Sequence, residues 1–290
     1  VKKGDFGSAE DLYSDVLSKF PNNKRAQIGL ASLRDPSSIN TQTAPPQAQL
    51  IELNTLYKER QFGLILTRTA KLLERFPRST FLWNIRGLSA NSLGKLDLAI
   101  ESLRRVTQLA PNSADNHRNL GTVLMRAKSL PFAINAFANA IKIDPTNAHD
   151  HMLLATALYQ NEDLSNAVQS YQNVIRLDSN FFEAYLGLGG TLAAQLRFDE
   201  AFQALDIAMS KRPNDPALLA ALAYVIPAMT NYSLPGRISE ILTKLITETK
   251  LVSIFEIPPV VNRLLGLNPT LTSSIESVRE IQAADVPLEL

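Results

Sequence analysis

Cysteine is absent from the 290 residues. That removes disulfides, thiolate metal sites and cysteine nucleophiles from consideration. Charge of one sign is also missing: 29 Lys and Arg stand against 28 Asp and Glu, a formal net charge of +1. A nucleic-acid footprint needs clustered, uncompensated cations, so no nucleic-acid partner is expected. No apolar run approaches the roughly 18 residues of a membrane-spanning helix. The opening Val1-Lys2-Lys3-Gly4-Asp5 lacks the apolar stretch of a signal peptide. The compartment is not fixed by these features, and a cytoplasmic setting is the favoured expectation. A Gly-x-Ser-x-Gly elbow is absent, and the carboxylates are scattered without an acid/base pair. No enzyme activity and no cofactor are therefore expected of this segment. Hydrophobic residues, at 45%, suffice for a packed core.

What is present is a period. Pro77, Pro111, Pro145 and Pro213 recur in one 34-residue register, with Ser179 standing where the remaining Pro would fall. Aligned on that period, the chain divides into 46–79, 80–113, 114–147, 148–181 and 182–215. Position eight holds Gly87, Gly121, Ala155 and Gly189. Position seventeen holds Phe62, Leu96, Leu130, Leu164 and Phe198; position twenty holds Ala99, Ala133, Ala167 and Ala201. Position twenty-four holds Leu103, Phe137, Tyr171 and Leu205.

Small residues at two columns let a pair of helices approach, and the bulky residue fills the space beside them. Apolar residues between recur at three and four positions, the helical spacing. Proline at position thirty-two separates one repeat from the next. Asp97, Ser165 and Asp199 at position eighteen suit the N-cap of a second helix, and Pro131 suits its first turn. Each repeat reads as two antiparallel helices, covering positions two to fourteen and eighteen to thirty-one. One pair cannot bury both faces, so neighbours must stack.

These columns resemble the tetratricopeptide repeat (TPR). Trp83 with Gly87 and Ala99 through Pro111 fits its pattern. So do Leu120, Gly121, Ala133, Phe137, Ala140 and Pro145; Leu154, Ala167 and Tyr171; and Leu188, Gly189, Ala201, Ala208 and Pro213. Repeat 46–79 is degenerate. The resemblance implies an all-α, right-handed TPR superhelical solenoid of antiparallel helix pairs.

The ends are less regular. Phe6, Ala9, Tyr13, Val16 and Pro21 match the second half of a repeat, so residues upstream are expected. Residues 1–34 read as a partial N-terminal TPR, a second helix followed by a lone first helix. Residues 35–46 form a Ser/Thr/Pro-rich linker. Residues 216–231 still resemble a first helix, and Pro235-Gly236 then breaks the register. Helices are expected near 237–250, 259–267 and 271–283. Together 216–290 read as a cap or a junction to a further domain.

Two clusters invite chemistry and have plainer readings. His149-Asp150-His151 places two imidazoles two positions apart, where a helix points them in different directions. His117 and His151 also share position four with Trp83, a packing column, so no metal is expected. Gly187-Leu188-Gly189-Gly190 lacks the Lys-Ser/Thr of a phosphate loop and lies inside a helix.

In the family, first-helix positions two, five, nine, twelve and thirteen line a concave groove. Carried over, the binding candidates are Asn84, Leu88 and Asn91; Arg118, Thr122, Met125 and Arg126; Met152, Thr156, Tyr159 and Gln160; and Leu186. The strip suits an extended peptide or protein segment. Arg118 and Arg126 are also candidates to grip a carboxylate. The reading is a non-catalytic protein–protein interaction scaffold. An alternative rests on a looser resemblance of 49–87 to TPR regions in front of bacterial sulfo-, glycosyl- or methyltransferase domains. It makes this chain an acceptor-recognition arm. Self-association through the groove or an exposed repeat end is a third expectation.

Overall fold

The structure, a computed structural model, describes residues 45–229 together with 13–14, 16–21, 23, 26–27, 29–30 and 241. The helices expected at 237–250, 259–267 and 271–283, the Pro235-Gly236 break, Phe6, Ala9 and most of the 35–46 linker lie outside the described residues. Every regular element that is described is helical. None is long and apolar enough to cross a membrane.

The chain divides into two compact units, Val1–Ala110 and Pro111–Leu290. The first contains α1 (Gln47–Lys58), α2 (Phe62–Arg75), α3 (Thr80–Ser92) and α4 (Leu96–Leu109). Its core is built from Leu53, Leu56, Ile65, Leu73, Phe76, Leu82 and Ile85. The second contains α5 (Ala114–Arg126), α6 (Leu130–Ile143), α7 (Ala148–Gln160), α8 (Leu164–Leu177), α9 (Phe182–Ala194), α10 (Phe198–Lys211) and α11 (Pro216–Val225). Within each unit, consecutive helices pack against one another.

The helix expected over 216–231 is shorter. It gives way after Val225 to a single 3₁₀ turn, Ile226–Ala228. Pro227 lies in that turn, and proline cannot supply the amide hydrogen that an α-helix requires.

The size columns explain the packing. A Cβ built on Gly87 would stand 2.8 Å from Leu103; on Gly121, 2.6 Å from the Phe137 ring; on Gly189, 2.6 Å from Leu205. Ala99, Ala133, Ala167 and Ala201 are fully buried. In the repeat that has Ala155 instead of glycine, the bulky partner is Tyr171. Its ring lies against α9 at Gly187, where an added Cβ would meet it at 2.5 Å.

The second helices begin one residue earlier than the columns predict, at position seventeen. Asp97, Ser165 and Asp199 therefore sit inside the first turn and are not caps. The cause is the turn before them. Arg60, Gly94, Lys128, Glu162 and Leu196, one per repeat, all have positive φ between 58° and 71°. Around Lys128, its own N–H bonds Met125 O and the Ser129 N–H bonds Leu124 O, the two bonds of a Schellman motif. The same pair recurs at the other four turns. This closes each first helix and delivers the chain directly into the next. Asp97 and Asp199 still favour the positive end of their helix dipoles.

Three first helices have a side-chain cap at their N-terminus, from Ser79, Asn147 and Asp215. Asn147 Oδ1 accepts from the His149 and Asp150 amides, and Asp215 Oδ1 from Ala217 and Leu218. The second helices stop at position thirty in every case. That includes α8, where Ser179 replaces proline. Termination there is set by the extended residue after the helix, and proline reinforces it.

Candidate functional site: the exposed face of the first helices

The twelve candidate residues all lie on first helices, and none is buried. Asn84, Leu88 and Asn91 share one face of α3 in the first unit. Asn84 Oδ1 is buried there without a hydrogen-bond partner. The other nine belong to the second unit. Arg118, Thr122, Met125 and Arg126 are on α5; Met152, Thr156, Tyr159 and Gln160 on α7; Leu186 on α9. The three- and four-residue spacings keep each set on one side of its helix.

Arg118 is the most constrained of them. Its Nε and Nη2 donate to the two carboxylate oxygens of Asp150 on α7, the Nη2–Oδ2 distance being 2.9 Å. Its Nη1 donates to Asp115 one turn back on α5. The Asp150 side chain is fully buried, with 0% exposure. The hydrogen bonds that Arg118 donates to Asp150, together with the charges of Asp150 and Asp115, hold its guanidinium above its ordinary value, against the opposing effect of burial. Arg118 is thus a strut between α5 and α7 before it meets any ligand. The carboxylate grip expected of it is already taken by this chain's own aspartates. Glu183 at the start of α9 is likewise matched, accepting from Arg212 at 2.7 Å.

The hydroxyls on this face are partly committed. Thr122 donates to Arg118 O and Thr156 to Met152 O, both 2.9 Å and one turn back. Their lone pairs remain acceptors. The Tyr171 phenol comes up from α8 to bond Thr156. Burial pushes it above its ordinary value, and the Thr156 bond opposes that shift. Tyr159 is 43% exposed, while Met152 and Leu186 are half-buried against the core.

The histidines are accounted for differently. His117 Nε2 lies 2.9 Å from Pro111 O and His151 Nε2 lies 3.1 Å from Pro145 O. Trp83 Nε1 donates to Pro77 O at 2.9 Å. In these three repeats position four thus supplies a ring N–H that latches onto the carbonyl six residues earlier. No three His, Cys, Asp or Glu side chains converge as metal ligands among the described residues.

Sequence reasoning missed Asp150. It stands at position three, facing position five of the preceding repeat, and only the stacked geometry reveals that pairing.

The tetratricopeptide-repeat profile matches residues 86–148 and 152–216. These residues are tetratricopeptide repeats. No curated protein matches the chain significantly. Among solved structures, MamA is 22% identical with a TM-score of 0.53, covering 56% of this chain and 94% of its own. YrrB, a TPR protein with an unusual peptide-binding site, is 16% identical with a TM-score of 0.54, covering 73% of this chain and 98% of its own. The C-terminal part of a TPR repeat-containing protein from Cytophaga hutchinsonii is 15% identical with a TM-score of 0.53, covering 78% and 98%. At these identities the likeness to the solved structures is one of fold. The TPR fold is consistent with an interaction scaffold.

Proposed function

We propose that this segment is a non-catalytic scaffold that holds an extended peptide or protein segment along the first helices of its second unit. The supporting observation is Tyr159, a large side chain 43% exposed on α7, flanked by half-buried Met152 and Leu186. An aromatic ring with an apolar body and a polar tip suits an interface at little entropic cost. The neighbouring threonine oxygens offer acceptors to a bound backbone. YrrB carries a peptide-binding site on this fold.

Photocrosslinking tests the reading. A benzophenone amino acid replaces Tyr159 in one variant and Phe132 in another. Phe132 is exposed on α6, the second helix of its repeat. Proteins of the host cell should crosslink through position 159 and not through 132. Equal labelling from both positions would remove the proposed face.

A further inference from the structure

Charge pairing and a single glycine together narrow what the face between α7 and α9 would hold. Two charged groups along it are matched within the chain: Arg118 is bonded to Asp150 and Asp115, and Glu183 to Arg212. A charged ligand would have to break one of these bonds and leave its partner without compensation, most severely at buried Asp150. An uncharged segment faces no such cost.

Gly190 sits mid-way along α9, at position nine of its repeat, the column of Leu88, Thr122 and Thr156. A glycine inside a helix is less favourable than alanine by about 1 kcal/mol. Gly87, Gly121, Gly187 and Gly189 each have a side chain pressed against them that explains the missing Cβ. Gly190 has none: a Cβ there would meet nothing within 4 Å. Packing among the described residues does not require the notch.

We infer that the face formed by Met152, Thr156, Tyr159, Leu186 and Gly190 binds an uncharged, apolar extended segment whose backbone runs close against α9 at Gly190. The inference rests on the scaffold reading above and adds the chemical class of the partner. Met152, Tyr159 and Leu186 supply apolar contact. Thr156 keeps an acceptor lone pair, and the glycine admits a chain where a methyl group would hold it off.

The test is selection from a phage-displayed library of random peptides on the full chain, followed by affinity measurement of the enriched sequences as synthetic peptides with blocked ends. Enriched sequences should be uncharged and apolar. Their affinity should change by less than about twofold between low and high sodium chloride. Gly190→Ala should weaken them by about tenfold while raising Tm by ~3 °C. Gly63→Ala fills the other open helical glycine among the described residues, on α2. It should raise Tm and leave affinity unchanged. Wild-type affinity in Gly190→Ala would overturn the inference. So would enrichment of acidic or basic sequences with salt-sensitive binding. If those charged peptides are nevertheless lost in Tyr159→Ala, the scaffold reading survives and only the partner class falls. Failure to enrich any sequence, or binding indifferent to Tyr159→Ala, removes both. A concentration-dependent dimer dissolved by Gly190→Ala would identify a second copy as the occupant and also overturn the inference.

Discussion

A single methyl group has opposite effects at different glycines of this chain. At Gly121 an added Cβ would stand 2.6 Å from the ring of Phe137, which is itself fully buried and has nowhere to move. Overpacking of this kind costs about 1–3 kcal/mol, more than the gain in helix propensity. Gly121→Ala should therefore destabilise the protein by about 1 kcal/mol or more in urea denaturation. The turn column has the reverse logic. Lys128 holds φ at 59°, which costs an L-residue roughly 1–2 kcal/mol. Lys128→Gly removes that cost and adds unfolded-chain entropy of about 0.5–1 kcal/mol. The net expectation is stabilisation by ~0.5 kcal/mol, read as a higher urea midpoint with an unchanged slope. Leu196 is the least suited of the five, because it combines positive φ with 71% exposure.

Between elements, the Arg118–Asp150 bond ties α5 to α7. Arg118→Ala would strand the buried Asp150 carboxylate. Removing one partner of a buried pair costs about 3–5 kcal/mol, and Arg118, half-buried, belongs at the lower end. Arg118→Ala with Asp150→Ala should recover most of that loss, and a double-mutant cycle in urea measures it. A second prediction concerns the junction after α6. Asp144 accepts from the Thr146 hydroxyl and amide, and these bonds hold its carboxyl below the usual range. A depressed folded value means a contribution to stability that is present above the ordinary carboxylate range. It is lost as pH falls through the folded value. Thr146→Val should shift the Asp144 midpoint upward in an NMR titration.

These elements also show how far the sequence could be read. Columns eight, twenty and twenty-four were legible because packing demands a particular volume there. The positive-φ column was not. Its Schellman bonds come from the backbone, so five unlike residues occupy it and only Gly94 carries a signal. The position-four latch was hidden for a similar reason. His and Trp share little except a ring N–H, and both were read as packing residues. On the candidate face, which helix side carries the residues was legible. That Arg118 already had partners was not, because Asp150 lies 32 residues away.

For the molecule as a whole, repeats communicate mainly with their neighbours. Phe137 is fully buried within its repeat. Phe137→Ala should cost ~4 kcal/mol. The loss should be graded along the chain rather than uniform. Hydrogen exchange should quicken most in α5 and α6, less in α7, and least in α1 and α2. Uniform acceleration across all helices would show that the chain unfolds as one block.

The position-four latch has a consequence for rearranging the chain. Each ring N–H and the carbonyl it grips lie on the same side of a cut made just before proline. A cassette running from Pro111 to Asp144 would carry the His117 latch intact. Its left-handed turn at Lys128 would travel with it. Such cassettes can be transplanted or duplicated with their joints already built in, whereas a cut a few residues later would sever donor from acceptor.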